Sequence, residues 1–92
     1  MSTKTEKIEA IVLKCLVKLG EEEDIKEFQK PTKSTKIQNL VDSMSLVALS
    51  VDIEEEYTNV FGKEIRVLND EEPGFLLNYE SVASLVDYVC NL

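Results

Sequence analysis

Apolar residues recur at helical spacing in three stretches of the chain. Ile8, Ile11, Val12, Cys15, Leu16 and Leu19 fall at i, i+3, i+4, i+7, i+8 and i+11, the wide stripe that one side of an α-helix turns to a core. This predicts a first helix beginning near Ser2 or Thr3 and stopping at Gly20, with Thr3 and Glu6 spaced as a capping box. Leu46, Leu49, Ile53 and Tyr57, followed by Val60 or Phe61, make a second stripe. It predicts a helix from about Ser43 to Thr58, with Asp42 near its N-cap and Gly62 ending it. Val82, Leu85, Val86 and Val89 predict a closing helix from about Glu80 to Cys90, capped by Asn78 or Ser81.

The segments between are of a different kind. Residues 20–39 read as a long connection: Glu21 to Asp24 form an acidic run, Pro31 breaks any helix, and Ser34 and Thr35 suit turns. A bare loop of that length is unusual in a compact domain, so Ile25, Phe28 and Ile37 are expected to pin it to the bundle. Lys63 to Leu77 is irregular, and a short helical turn is expected near Asp70 to Leu77, with Pro73-Gly74 leaving its boundaries open. The architecture expected is all-α: one domain over residues 1–92, a small four-helix bundle with a long first loop and a short third helix.

The second helix carries more apolar surface than one core needs. Met44, Val47, Ala48 and Val51 form an additional set at i, i+3, i+4 and i+7 on another face. Rimmed by Asp52, Glu54 and Glu55, this set would suit a partner surface. The alternative is that it packs under the long loop.

Composition narrows the function. Apolar residues make up 43% of the 92, and there is no Trp, which favours helices and a single modest core. Ten Lys and Arg against eighteen Asp and Glu leave a formal charge of -8. Such a surface repels nucleic acid and anionic lipid and attracts basic partners, beyond keeping a small domain soluble. With no His, the chain can build no Ser-His-Asp triad, Cys-His pair or histidine zinc site. Cys15 and Cys90 lie far apart in helical apolar patterns, so two buried thiols in a reducing compartment are expected rather than a disulfide. The polar start, Met1 to Lys7, does not read as a signal peptide, and no apolar run approaches membrane-spanning length, so a cytoplasmic monomer is expected. An enzyme using Asp52 or Glu55 would need an apolar pocket that nothing in the pattern supplies. The run Glu21 to Asp24 lacks the alternating ligands and turn glycine of a calcium loop.

The chemistry concentrates at Asn39-Leu40-Val41-Asp42-Ser43-Met44, which opens the second helix, and continues through Leu46 to Glu54-Glu55-Glu56-Tyr57. Here the chain resembles the acyl and peptidyl carrier protein family, whose Asp-Ser-Leu motif stands at the start of its second helix. The resemblance extends to the first helix and long loop, and Tyr79 to Val89 looks like the family's closing helix. It implies that Ser43 is the attachment point of 4′-phosphopantetheine, with Asp42 as the motif residue. The protein would then be no enzyme but the substrate of a phosphopantetheinyl transferase. It would carry acyl intermediates as thioesters to basic partner enzymes of fatty-acid, polyketide or related biosynthesis. Met44, Val47, Ala48, Val51, Glu54 and Glu55 would form the partner face. Physical logic agrees, because a helix N-terminus offers free N–H groups and a positive dipole where a phosphodiester would attach.

Some positions depart from the common pattern. Met44 replaces the motif leucine, a volume-conserving change. Asn39 stands where specialised carriers have glycine, and Asn tolerates left-handed backbone. Ser45 and Ala48 occupy positions that are often acidic, which removes charge from the first half of the helix. The Lys63 to Leu77 stretch is also longer. These departures favour a dedicated pathway over housekeeping fatty-acid synthesis. The competing reading is an unmodified acidic helical adaptor, in which Ser43 is a plain helix cap and the Met44 face docks a partner.

Overall fold

The computed structural model describes residues 4–68 and 74–92, and at Phe75 only the backbone. Among the described residues three α-helices carry the fold: α1, Lys4–Glu23; α2, Ser43–Phe61; and α3, Val82–Cys90. Two 3₁₀ turns join them, η1 at Lys26–Phe28 and η2 at Phe75–Tyr79. The three apolar stripes converge as their spacing predicts. Ile8, Ile11, Val12, Cys15, Leu16 and Leu19 of α1 are buried with Leu46, Leu49, Ile53 and Tyr57 of α2 and Val82, Leu85, Val86 and Val89 of α3. Both α2 and α3 pack against α1, which makes it the central helix.

The first helix does not stop at Gly20. It runs to Glu23, and the chain leaves it through Asp24, whose φ of 56° is left-handed. The N–H of Ile25 then reaches back to the carbonyl of Gly20 at 2.8 Å, the long bond of a Schellman cap. Gly20 serves a different purpose. It is buried, and a Cβ on it would stand 2.7 Å from Cβ of Phe28 and 3.0 Å from the carbonyl oxygen of Ile25. The missing side chain lets η1 close onto α1. Thr3, the expected cap at the other end, lies outside the described residues.

The long connection is pinned as expected. Phe28 and Ile37 are fully buried and Ile25 is half-buried against the core. The loop also pairs with the start of α3, through an isolated antiparallel bridge between Lys36 and Ser81. The N–H groups of Val82 and Ala83 donate to the carbonyls of Thr35 and Lys33, each at 3.0 Å. The next one, Ser84, donates to Oγ of Ser81, which caps α3 in a capping box. The free donors of the first turn of α3 thus find acceptors in the loop and the cap. The helix accordingly begins at Val82, two residues later than its pattern suggested, and Ser81 rather than Asn78 is the cap.

Helix α2 is longer than predicted, extending to Phe61 before Gly62 turns left-handed at φ 69°. A four-helix bundle was expected, but the described residues hold three α-helices, and the fourth element is the 3₁₀ turn η2. Residues 69–73, where the first half of the short third helix was expected, lie outside the described residues, and its later part falls in η2. Among the described residues no helix is long and apolar enough to cross a membrane.

Candidate functional site

Ser43 is the first residue of α2 and is exposed. The helix starts here because Asp42 caps it: its backbone is extended, and its carboxylate accepts the N–H of Ser45 at 2.8 Å. That bond is the chief reason the Asp42 carboxyl is held below its usual range. The turn is also tied to α1, because Oγ of Ser45 donates to the Glu23 carboxylate at 3.0 Å. Ser43 is therefore presented on a turn anchored from both sides. The donor set suits an anion: the N-terminus of a 19-residue helix carries partial positive charge, and the nearest carboxylate is already engaged by Ser45.

Ser45 itself is buried rather than surface-facing. Its position therefore says nothing about charge on the outer face of α2, contrary to the sequence expectation. Asn39 likewise does not use left-handed backbone; among the described non-glycine residues Asp24 alone has a positive φ.

The additional apolar set is exposed along its whole length. Met44 is 81% exposed, Val47 43% and Val51 42%, and Ala48 lies open between them. The alternative in which the long loop covers this face does not hold. The loop instead spends its apolar residues on the core and its backbone on α3.

The three consecutive glutamates of α2 take three different directions, as a rotation of about 100° per residue requires. Glu54 turns toward the following segment, where its carboxylate accepts the N–H groups of Val67 at 2.8 Å and Leu68 at 3.2 Å. Glu56 faces α1 and meets Nζ of Lys14 at 3.1 Å, and Asp52, one turn earlier, faces Lys18 at 3.8 Å. Glu55 remains on the outer face and is exposed. Glu54, expected on the partner face, thus holds a loop in place. Asp52 was expected to rim that face and is drawn to the α1 side.

Buried polar chemistry lies on the inner flank of α2. Ser50 and Tyr79 are both fully buried, and their hydroxyls are hydrogen-bonded to each other. Ser50 donates its proton to the carbonyl of Leu46 at 2.9 Å, which leaves the Tyr79 hydroxyl as donor to Ser50. Burial pushes the Tyr79 hydroxyl up to about 12, against the opposing effect of its bond to Ser50. A serine within the apolar stripe of α2 was a legible sign of a buried hydrogen bond. Its partner, 29 residues away, was not.

The two thiols stand apart from Ser43. Cys15 is buried, and burial first, then the carboxylates of Asp52 and Glu56, push it up to about 12. Cys90 is half-buried rather than buried as expected, with Sγ 3.7 Å from Oγ1 of Thr5. Thr5 is in the first turn of α1 and Glu23, the anchor of the Ser43 turn, closes it, which places them about 27 Å apart along the helix. Among the described residues no cluster of three His, Cys, Asp or Glu is placed to hold a metal ion. Comparison with protein-family models, with curated proteins and with solved structures found no match to this chain.

Proposed function

We propose that this protein is an acyl carrier: Ser43 accepts phosphopantetheine, and the protein presents the loaded arm to successive enzymes. The observation that carries this reading is the exposed serine hydroxyl at the first turn of a long acidic helix, directly after its aspartate cap. In the loading reaction the Ser43 oxygen takes the phosphopantetheine half of coenzyme A. The nucleotide half leaves, and the hydroxyl proton passes to the transferase. The chain needs no base of its own, so its lack of histidine is no handicap. When bound, the arm supplies a terminal thiol for thioester chemistry. Cys15 is a poor substitute, because a buried thiol with so high a pKa yields little thiolate.

The residues of this chain supply presentation. Asp42 fixes the start of α2, Ser45 and Glu23 tie that start to α1, and the helix N-terminus favours the negative phosphodiester. In this reading the fold is a four-helix bundle of acyl-carrier type, with η2 in the place of the short third helix. A cytoplasmic pathway making fatty acids, polyketides or related products, outside housekeeping synthesis, accounts for the departures around Met44 and Ala48.

The exposure of Met44 also favours a second reading, an unmodified adaptor that docks a partner on this face and uses Ser43 only to begin the helix. One experiment separates the two. Intact mass is measured after incubation with coenzyme A, magnesium and a broad-specificity phosphopantetheinyl transferase, beside Ser43→Ala. One added phosphopantetheine on the wild type alone is the expected result. No gain on folded wild type with several transferases would transfer the assignment to the adaptor.

A further inference from the structure

Asn39 is left without a part in the fold. Its backbone is not left-handed, its side chain is exposed, and it makes no hydrogen bond to any described residue. Its place is nonetheless fixed. The turn that holds it is closed by the N–H of Leu40 on the carbonyl of Ile37 at 3.1 Å, and Ile37 is fully buried. The N–H groups of Ile37 and Gln38 donate in turn to the carbonyls of Glu80 and Tyr79, at 3.2 and 2.9 Å. A polar side chain on a turn held this firmly loses little freedom on meeting a ligand.

This turn is one wall of a surface depression of about 500 Å³, lined by Glu27 of η1 and by Thr35, Lys36, Asn39 and Leu40. The lining is largely apolar, and Leu40 is only half-buried. Its two charged residues, Glu27 and Lys36, are of opposite sign, so the depression is near neutral. Oγ1 of Thr35 accepts the N–H of Thr32 at 2.8 Å, while its own proton finds no acceptor among the described residues. Thr35 therefore offers a donor, and Asn39 both a donor and an acceptor. A neutral, mostly apolar cleft with a few such groups suits an uncharged chain of amides rather than an anion or a cation.

We propose that this depression is where the middle of the phosphopantetheine arm rests, with Asn39 and Thr35 bonded to its amides and Leu40 against its paired methyl groups. The inference rests on the reading in which Ser43 carries the arm. Reach allows it. Leu40 stands three residues before Ser43, so at most about 11 Å separate them. The arm is about as long as five extended residues, roughly 17 Å from phosphate to thiol. The order of groups also agrees: the methyls lie next to the phosphate, as Leu40 lies nearest Ser43, and the amides follow. Direction agrees as well. The Cα–Cβ bond of a helical residue leans toward the helix N-terminus, so Ser43, first in α2, projects back toward this turn. An arm at rest here leaves the exposed Met44 face uncovered.

The test compares the full chain before and after loading with phosphopantetheine, with the added arm checked by intact mass. Nuclear Overhauser contacts from the arm methyls are expected to reach the Leu40 methyls, and the Asn39 side-chain amide is expected to shift on loading. Asn39→Ala, carrying the arm and with unchanged circular dichroism, is expected to lose the contacts to Leu40. Asn59→Ala, at an exposed asparagine near the far end of α2, is expected to keep them. Contacts to Met44, Val47 or Val51 instead, shifts confined to residues 42–45, or contacts to Leu40 that survive Asn39→Ala would overturn the proposal while the carrier reading stands. Contacts that appear only as protein concentration rises would assign the depression to the arm of a second copy and overturn it too. No arm on folded wild type with several transferases would remove the carrier reading and this inference with it.

Discussion

Gly20 shows how a single residue can be read correctly as special and wrongly as to why. A glycine inside a helix ordinarily costs about 1 kcal/mol relative to alanine, so Gly20→Ala would help α1 if space allowed. Space does not allow it, because the new carbon would sit 2.7 Å from Cβ of Phe28, an atom close to backbone that cannot swing aside. Gly20→Ala is expected to destabilise the protein by about 1–3 kcal/mol, read as a lower urea midpoint at constant slope. The buried hydroxyl and thiol give a second expectation at this scale. Tyr79 is raised from 10.0 to about 12 and Cys15 from 9.0 to about 12 in the folded chain. The unfolded chain therefore releases both protons first, and stability falls as pH rises from about 9 to about 12. Cys15→Val is expected to flatten the lower part of that decline and Tyr79→Phe the part above pH 10. Urea unfolding at a series of alkaline pH values checks this, and slopes identical to wild type would remove both groups from the account.

At the scale of elements, Glu54 decides where the segment after α2 lies. Val67 is held through both of its backbone groups: its N–H donates to Glu54, and its carbonyl accepts from the Tyr88 hydroxyl at 2.6 Å. Glu54→Ala would leave the N–H groups of Val67 and Leu68 without that acceptor, at a cost of about 2 kcal/mol. Glu54→Gln keeps an acceptor but loses the charge, so it should recover part of that loss. Amide exchange at Val67 and Leu68 is the direct readout and should quicken most in Glu54→Ala. The result matters for the partner face, because charge reversal at Glu54 would disturb this loop as well as any docking. Glu55, with no such duty in the structure, is the cleaner probe. The helix boundaries belong here too: α1 runs past Gly20 because the Schellman bond from Ile25 rewards it, and α3 starts late because loop carbonyls accept its first N–H groups.

For the whole molecule, with a radius of gyration of 12.1 Å, the acidic surface governs encounter. Under the carrier reading, Glu55→Lys is expected to slow loading of Ser43 by a transferase with a basic surface, several-fold at low ionic strength. The difference should shrink as salt screens the pair. Loading kinetics at two salt concentrations check it, and equal rates for wild type and variant would remove Glu55 from the interface. The ion pairs between α1 and α2 carry less weight. Lys14 and Lys18 are mostly exposed, so these bridges contribute about 1 kcal/mol or less, although they do draw Glu56 and Asp52 away from the outer face.

The helical stripes, the cap at Asp42, the stop at Gly62 and the placement of Ser43 at the start of α2 are written in the order of residues along the chain. Each of these rests on interactions between residues at most a few turns apart, and local spacing encodes such interactions directly. Burial of Phe28 and Ile37 was also legible, because a long connection must bury what apolar residues it has. Which glutamate serves a loop and which faces solvent follows from the packing of the folded chain. It alone showed that Ser45 joins Glu23 and that Ser50 finds Tyr79. Those pairings join residues far apart in the chain, and their geometry depends on how the helices cross. A one-dimensional pattern does not contain that crossing.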